Sequence, residues 1–135
     1  MSRILCAFAV VIAACGCGGG QSEAIKRGIG SACTMDSDCT TKGQVCLLEF
    51  KGGYCGVGGC MHDADCPAGS ACVTADNQHN DCFLVCDLKT DCNPNRTADV
   101  ESNCSSSLGF VDGTMSRKVC IPPSAGTGIT DAGAD

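Results

Sequence analysis

Residues 60–72, CMHDADCPAGSAC, decide the fold, because their cysteine spacing recurs along the chain. Two cysteines separated by five residues open this stretch. The same opening appears as CTMDSDC at residues 33–39 and as CDLKTDC at residues 86–92. An aspartate precedes the second cysteine in all three copies: Asp38, Asp65 and Asp91. Self-similarity of this kind indicates that the chain is built from repeats.

Working outward, the twelve cysteines from Cys33 to Cys120 divide into three groups of four. The first group (residues 33–55) contains Cys33, Cys39, Cys46 and Cys55; the second (60–82) contains Cys60, Cys66, Cys72 and Cys82; the third (86–120) contains Cys86, Cys92, Cys104 and Cys120. The first two groups share a glycine three residues before the third cysteine, at Gly43 and Gly69. The third group lacks this glycine and has longer later gaps. We predict three tandem modules, separated by short linkers at residues 56–59 and 83–85.

The composition predicts a small disulfide-rich fold with little regular secondary structure and short β-hairpins. Residues 15–135 contain 14 of the 15 cysteines, above the roughly 8–10% that marks a disulfide scaffold. The same segment has four aromatic residues and no tryptophan. Because so few large side chains cannot form a sizeable core, covalent links are expected to stabilise the fold. Short strands are predicted at residues 44–50 and 71–74, and a short helix at residues 98–107.

The N-terminus predicts export. Residues 4–14 form an uncharged apolar run that is shorter than the roughly 20 residues of a membrane-spanning helix, so residues 1–14 are interpreted as a signal peptide. The run ends in Ile12-Ala13-Ala14-Cys15, which resembles a bacterial lipobox. This resemblance implies a lipid on Cys15, and the glycine that follows favours the outer membrane. The alternative is an ordinary secretory signal cut near residue 14 or 16, giving a secreted protein.

The flanks of the cysteine groups look unstructured by composition. Residues 15–32 contain the cysteine predicted to carry lipid, followed by a glycine-rich stretch that predicts a flexible tether. Residues 122–135 contain no aromatic residue and no cysteine, and predict a disordered tail. A lipid on Cys15 leaves Cys17 as a free thiol, a second acylation site or a dimer link.

The stretch CMHDADCPAGSAC resembles the Asp-x-Asp-Cys-Pro segment of whey-acidic-protein domains and the cysteine-rich N-terminal domain of Dickkopf-type proteins. Three such repeats behind a lipobox resemble the cysteine-rich lipoproteins of large-genome Gram-negative bacteria. Each copy here has four cysteines and no adjacent Cys-Cys pair, unlike whey-acidic-protein domains. The resemblance implies first-to-third and second-to-fourth pairing in each group: Cys33–Cys46, Cys39–Cys55, Cys60–Cys72, Cys66–Cys82, Cys86–Cys104 and Cys92–Cys120.

Two other chemistries compete with this interpretation. Structural zinc favours cysteines two to four residues apart, whereas the recurring gap here is five, so we expect disulfides, no metal and no cofactor. Catalytic redox chemistry would need a Cys-x-x-Cys motif. The aspartate pairs at residues 36 and 38 and at residues 63 and 65 could ligate Ca²⁺ or bond their own backbone in turns, and we expect turns.

We therefore expect no catalytic residue and no enzyme activity. The net charge of −6 and the scattered lysines and arginines argue against a nucleic-acid partner. The expected function is that of a lipid-anchored binding or structural module, exposed at the surface or in the periplasm. Its partners would be the membrane, through Cys15, and another extracytoplasmic protein. The alternative is a secreted antagonist similar to a protease inhibitor, with a reactive loop at residues 73–81.

Overall fold

The computed structural model describes residues 20–75, 79–113 and 117–125, so the predicted signal peptide, Cys15 and Cys17 lie outside the described residues. One short helix, four 3-10 turns and seven short strands make up the described part. The helix α1 is Glu23–Lys26, and the strands are β1 (Val45–Cys46), β2 (Cys55–Gly56), β3 (Ser70–Thr74), β4 (Asn80–Cys86), β5 (Asn103–Ser105), β6 (Gly109–Phe110) and β7 (Lys118–Ile121). The 3-10 helices are Asp36–Asp38, Asp63–Asp65, Lys89–Cys92 and Ala98–Val100. A small disulfide-rich fold with short antiparallel strands is confirmed.

Six disulfides join the pairs that the family resemblance implied, and all six lie within the groups. The third and fourth cysteines of each group sit opposite each other on neighbouring antiparallel strands: Cys46 and Cys55, Cys72 and Cys82, Cys104 and Cys120. They are not bonded to each other. Each is bonded instead to one of the two cysteines that bracket the 3-10 turn. Every group therefore ties a turn onto a strand pair with two bridges.

The predicted linkers are wrong as linkers, because both are paired into sheet structure. Residues 83–85 lie inside β4, where Phe83 and Leu84 are buried. The strand belongs to a five-stranded antiparallel sheet with the order β5-β7-β4-β3-β6, which combines the second and third groups. In the other predicted linker, Gly58 forms an antiparallel bridge with Asp81. An apolar segment with partners on both sides is held by backbone hydrogen bonds and cannot separate two modules.

A small aromatic core joins the first group to β4. The ring of Tyr54 stacks on Phe83 with centroids 4.8 Å apart, and Phe50 meets Phe83 edge-on at 5.7 Å. All three side chains are buried. The Tyr54 hydroxyl accepts a hydrogen bond from the backbone N–H of Leu84 at 3.0 Å. Because aromatic residues of the first group pack against β4, which runs from the second group into the third, the groups pack as one body in the described part of the chain.

The N-terminal segment corrects the prediction of a flexible tether over residues 15–32. Ser22 caps α1 by accepting a hydrogen bond from the N–H of Ile25. Ala24 and Ile29 are fully or almost fully buried in the shared core, and the N–H of Ala24 donates to the carbonyl of Ala68 at 2.9 Å. Residues 22–32 are therefore part of the fold.

The C-terminal segment corrects the prediction of a disordered tail over residues 122–135. Lys51 donates its N–H to the carbonyl of Pro123 at 2.7 Å, and Ala125 donates its N–H to the carbonyl of Glu49 at 2.9 Å. Between these bonds, Phe50 and Ser124 form an antiparallel bridge. The chain thus returns to cover an edge of the first group, and residues 126–135 lie outside the described part.

The structure bears out one of the predicted strands and helices fully and departs from the others. The strand expected at residues 71–74 is β3, one residue longer at its start. The strand expected at residues 44–50 is reduced to β1, two residues long. The helix expected at residues 98–107 is wrong, because this stretch forms a three-residue 3-10 turn and, after two intervening residues, strand β5. Pairing of Cys104 with Cys120 across β5 and β7 overrides the weak helical preference of this stretch.

Arg96 links three parts of the fold through its guanidinium group. It donates hydrogen bonds to the carbonyl oxygens of Gly30 (3.2 Å), Lys51 (2.9 Å), Gly53 (2.8 Å) and Val100 (2.7 Å). Only 9% of the residue is exposed, and this burial lowers the pKa of Arg96 from its ordinary value. The side chain satisfies carbonyls of the N-terminal segment, the first group and the third group together.

Replacing Arg96 with methionine is expected to lower the free energy of unfolding by about 3 kcal/mol or more, because several buried carbonyls would lose their donors. The measurement is denaturant unfolding with the disulfides intact, monitored through the fluorescence of Tyr54. The exposed Lys42, replaced with methionine, is the matched control for loss of a positive charge. Equal stability of the two variants would contradict the linking role of Arg96.

Candidate functional site

The repeated aspartate before the second cysteine closes the 3-10 turn in every group. Asp38 accepts hydrogen bonds from the N–H groups of Thr34 (2.7 Å) and Met35 (3.2 Å). The same two bonds recur at the other two positions. Asp65 accepts from Met61 and His62, and Asp91 accepts from Asp87 and Leu88, all at 2.8–3.0 Å. These backbone N–H groups hold the pKa of all three carboxyls below the ordinary value.

The other aspartate of each Asp-x-Asp pair connects the turn to its strand. Asp36 accepts a hydrogen bond from the N–H of Cys46 at 2.8 Å, and Asp63 accepts one from Cys72 at 2.9 Å. In both groups the donor is the third cysteine. The third group has Lys89 at the corresponding position and therefore lacks this bond. The aspartate pairs thus accept hydrogen bonds from the backbone of their own groups, as expected for residues that form turns.

The glycine shared by the first two groups occupies a backbone conformation that favours glycine. Gly43 and Gly69 both adopt a positive φ, 93° and 91°, which side chains with a Cβ rarely tolerate. At the corresponding place in the third group, Glu101 has φ −57°. The third group therefore reaches its strand pair by a different path, in keeping with its longer gaps.

Each turn leaves one large apolar side chain in solvent. Met35 is 57% exposed and Leu88 is 65% exposed, and these two residues occupy equivalent positions of the repeat. In the second group the exposed residue is Met61, one position earlier, at 70%. Exposed methionine and leucine side chains are of the kind that gain free energy when another apolar surface covers them.

A charged cluster joins the turn of the second group to the long loop of the third. His62 Nδ1 lies 3.0 Å from Asp112, and Asp112 also accepts a hydrogen bond from the N–H of Asp63 at 2.7 Å. Arg117 pairs with Asp63 at 2.6 Å and lies over the ring of Phe110 at 4.7 Å. The hydrogen bond to Asp112 raises the pKa of His62 and lowers that of Asp112. These bonds hold two loops together.

A shallow groove runs between the N-terminal segment and the second and third groups. Its volume is about 400 Å³. Ile25, Val85 and Pro94 line it with apolar atoms, and Asp87 and Asp91 add carboxylates. Such a groove suits a side chain or short segment of a partner better than a small-molecule substrate, because small-molecule sites bury most of their ligand.

The loop proposed for protease inhibition is shorter than the sequence suggested. Val73 and Asp81 are buried register partners of β3 and β4. The two strands end at residues 74 and 80, so residues 73, 74, 80 and 81 are not loop. Residues 75–79 connect the two strands, and residues 76–78 lie outside the described part.

The sequence interpretation missed how close the cysteine sulfurs of one group lie. Although five residues separate the first two cysteines, the 3-10 turn brings their sulfurs within 4.8 Å of each other in all three groups. The repeated aspartate was the available signal, since its side chain folds the five-residue gap back on itself.

No protein-family model, curated protein or solved structure matches this chain. The resemblance to whey-acidic-protein and Dickkopf-type repeats therefore stays a prediction. Within residues 20–75, 79–113 and 117–125, none of the helices has the length and apolar character needed to span a bilayer.

The turn carboxylates predict a specific loss of stability in acid. Unfolded aspartates titrate near pH 3.8, and the folded pKa values of Asp38, Asp65 and Asp91 lie lower. The unfolded state then binds more protons below about pH 4, so stability present above that pH is lost as the pH falls through the folded values. Replacing all three residues with asparagine is expected to flatten this part of the profile.

The measurement is denaturant unfolding at a series of pH values from about pH 2 to about pH 7, with the disulfides intact. Glu49, an exposed carboxylate outside the 3-10 turns, replaced with glutamine, serves as the control and should keep the wild-type slope. An unchanged acid slope in the triple variant would show that these hydrogen bonds do not couple folding to protonation.

Proposed function

We propose that this protein is an exported, lipid-anchored binding module without catalytic activity, attached through Cys15 and exposed at the outer membrane or in the periplasm. The observation that carries the proposal is the order of residues at the N-terminus. An 11-residue apolar run ends in Ile12-Ala13-Ala14-Cys15, where the small residues fit a peptidase and the cysteine sulfur is the acceptor for the lipid. The unit of repetition in this proposal is the four-cysteine group.

The disulfides support export. Twelve cysteines of the described part are bonded in six bridges, and such bridges persist in oxidising compartments and are rare in the cytosol. A small aromatic core explains the need for them. Each bridge is expected to contribute about 2–4 kcal/mol by restricting the unfolded chain. A protein that needs disulfides for its stability is expected in the periplasm or at the cell surface.

The surface supports binding to another extracytoplasmic protein. Met35, Met61 and Leu88 are exposed at the turns of the three groups, and the groove lined by Ile25 and Val85 offers a further contact. The polar clusters of the described part are used in the fold: carboxylates hold turns, and Arg96 holds backbone carbonyls. This structural use of the polar side chains supports a role in contact with a partner.

Cys15 replaced with alanine tests the anchor. The wild-type protein is expected in the membrane fraction and in the detergent phase, labelled by a fatty-acid analogue, because multiple acyl chains hold a protein stably in a bilayer. The Cys15→Ala variant should accumulate in soluble or unprocessed form without label. The matched control is Cys17→Ala, which should behave like the wild type. Membrane retention and labelling of the Cys15→Ala protein would refute anchoring at this residue.

A second candidate function is inhibition of a serine protease by the β3–β4 hairpin. It is favoured by the bracing of that hairpin, since Cys72 and Cys82 face each other across it and are each bonded back to the turn. The test is a panel of serine proteases with the purified, oxidised chain and a variant with Ala75 replaced by proline. Inhibition that the variant loses would support this candidate. Absence of inhibition at micromolar protein would remove it.

A further inference from the structure

The walls of the groove between the N-terminal segment and the second and third groups are held together by backbone contacts. Ala24 of α1 donates its N–H to the carbonyl of Ala68 at 2.9 Å. Val85 of β4 donates its N–H to the carbonyl of Gly69, also at 2.9 Å. Gly69 lies so close to Ser22 that a Cβ atom added to it would come within 2.4 Å of the Ser22 Cβ. Because these contacts fix the walls, binding in the groove costs little ordering of the protein.

One side of the groove is apolar. Ile25 of α1 and Val85 of β4 line it, and both residues are only partly buried. Ile25 also borders a narrower recess next to the groove, whose lining includes Ile29 and Leu84. Apolar surface that is left in contact with water gains free energy when an aliphatic side chain covers it. This side of the groove therefore favours an aliphatic residue.

The opposite side carries two carboxylates, Asp87 and Asp91, which belong to the first turn of the third group. Asp91 accepts both of its backbone hydrogen bonds through one oxygen, Oδ2. Within the described residues, the carboxylate of Asp87 and the Oδ1 atom of Asp91 make no hydrogen bond and no ion pair. These oxygens are therefore positioned to accept hydrogen bonds from a partner.

Two lysines close to the groove in sequence are paired with other carboxylates. Lys26 lies 3.0 Å from Glu23, and Lys89 lies 2.8 Å from Glu101. These ion pairs leave the negative charge of the groove for a cation of the partner. The net charge of −6 on the whole chain acts in the same direction.

The groove also lies close to the predicted membrane anchor. Gln21 and Ser22 form part of its lining, and Gln21 follows Cys15 by six residues. An extended chain spans at most about 3.3–3.6 Å per residue, so this connection reaches about 20 Å. A lipid on Cys15 would hold the groove within that distance of the bilayer.

We propose that the groove binds a short segment of another protein held at the same membrane, in which an aliphatic residue lies next to a lysine or arginine. The aliphatic side chain covers Ile25 and Val85. The cation pairs with Asp87 and Asp91. The location of the partner rests on the proposed function, because the lipid on Cys15 sets the distance to the membrane. Anionic lipid headgroups fit the groove poorly, since its carboxylates would repel them.

The test uses residues 15–135 with intact disulfides and the changes Cys15→Ala and Cys17→Ala, so that neither a lipid nor a free thiol is present. The probe is the capped peptide Gly-Leu-Arg-Leu-Gly, added at low salt and followed through the backbone amide signals in NMR spectra. We expect saturable shifts at Ile25, Val85 and Asp87. Peptides with glutamine in place of the arginine, or with serine in place of both leucines, should bind about threefold to fivefold more weakly or worse.

The variant Asp87→Asn removes one charge from the groove and leaves the hydrogen bonds that Asp91 accepts in the turn. It should weaken binding of the arginine peptide about threefold to fivefold and leave binding of the glutamine peptide unchanged. Glu49→Gln, which removes an exposed carboxylate outside the groove, is the matched control and should bind like the parent chain. Denaturant unfolding of both variants shows that the fold is retained. Equal binding of the three peptides, or an Asp87→Asn variant that binds like the parent, would overturn the proposal.

Other occupants of the groove give different results with the same preparation. Vesicles of phosphatidylethanolamine and phosphatidylcholine should leave the amide signals of the groove unchanged. Shifts caused by the vesicles but not by the arginine peptide would assign the groove to a lipid surface and overturn the proposal. Shifts that grow with protein concentration alone would assign it to a second copy of the chain, with the same consequence.

The peptide titration and the test of the anchor fail separately, because the titrated chain carries no lipid. Membrane retention and labelling of the Cys15→Ala protein would overturn the location given for the partner and leave the peptide preference standing. A groove without preference for the arginine peptide would overturn the present inference and leave the anchor at Cys15 untouched.

Discussion

The structure depends on a covalent constraint that is applied three times: two bridges tie a five-residue turn onto a pair of neighbouring strands. The bridges close loops of 12 to 28 residues, short enough that few of the unfolded conformations survive cross-linking. Three packed aromatic rings and a few aliphatic side chains could not by themselves offset the entropy of ordering a chain of this size. Once the bridges are in place, two-residue strands such as β1 and β2 persist although they are too short to be stable alone.

The repeat in sequence is not the unit of folding. Tyr54 of the first group packs on Phe83 of β4, β4 itself runs from the second group into the third, and Arg96 of the third group donates to carbonyls of the first. Each of these contacts joins residues that belong to different groups. The covalent framework is therefore local, whereas the packing that makes a single body is not.

This division explains what could be predicted from the sequence. Cysteine spacing and the repeated aspartates are local signals, and from them the turns and a small disulfide-rich fold could be predicted. The order of Phe83-Leu84-Val85 was a signal for a buried strand that the linker interpretation overlooked. Ser22 before a short apolar-charged segment and Gly28 after it likewise indicated α1. No local pattern distinguishes Arg96, because its four acceptors lie up to 66 residues away.

The pairing of Pro123 and Ala125 with residues 49–51 has a consequence for the order in which the protein matures. During synthesis the first group is made early, and Pro123, which bonds to Lys51, is made 72 residues after it. The disulfides of the first group can therefore form before residues 123–125 pair with residues 49–51. A chain interrupted after β7 would then carry a complete set of these cross-links and an open backbone edge. Such an edge would mark incomplete molecules for proteolysis, because protease cleavage requires extended backbone that is free to pair.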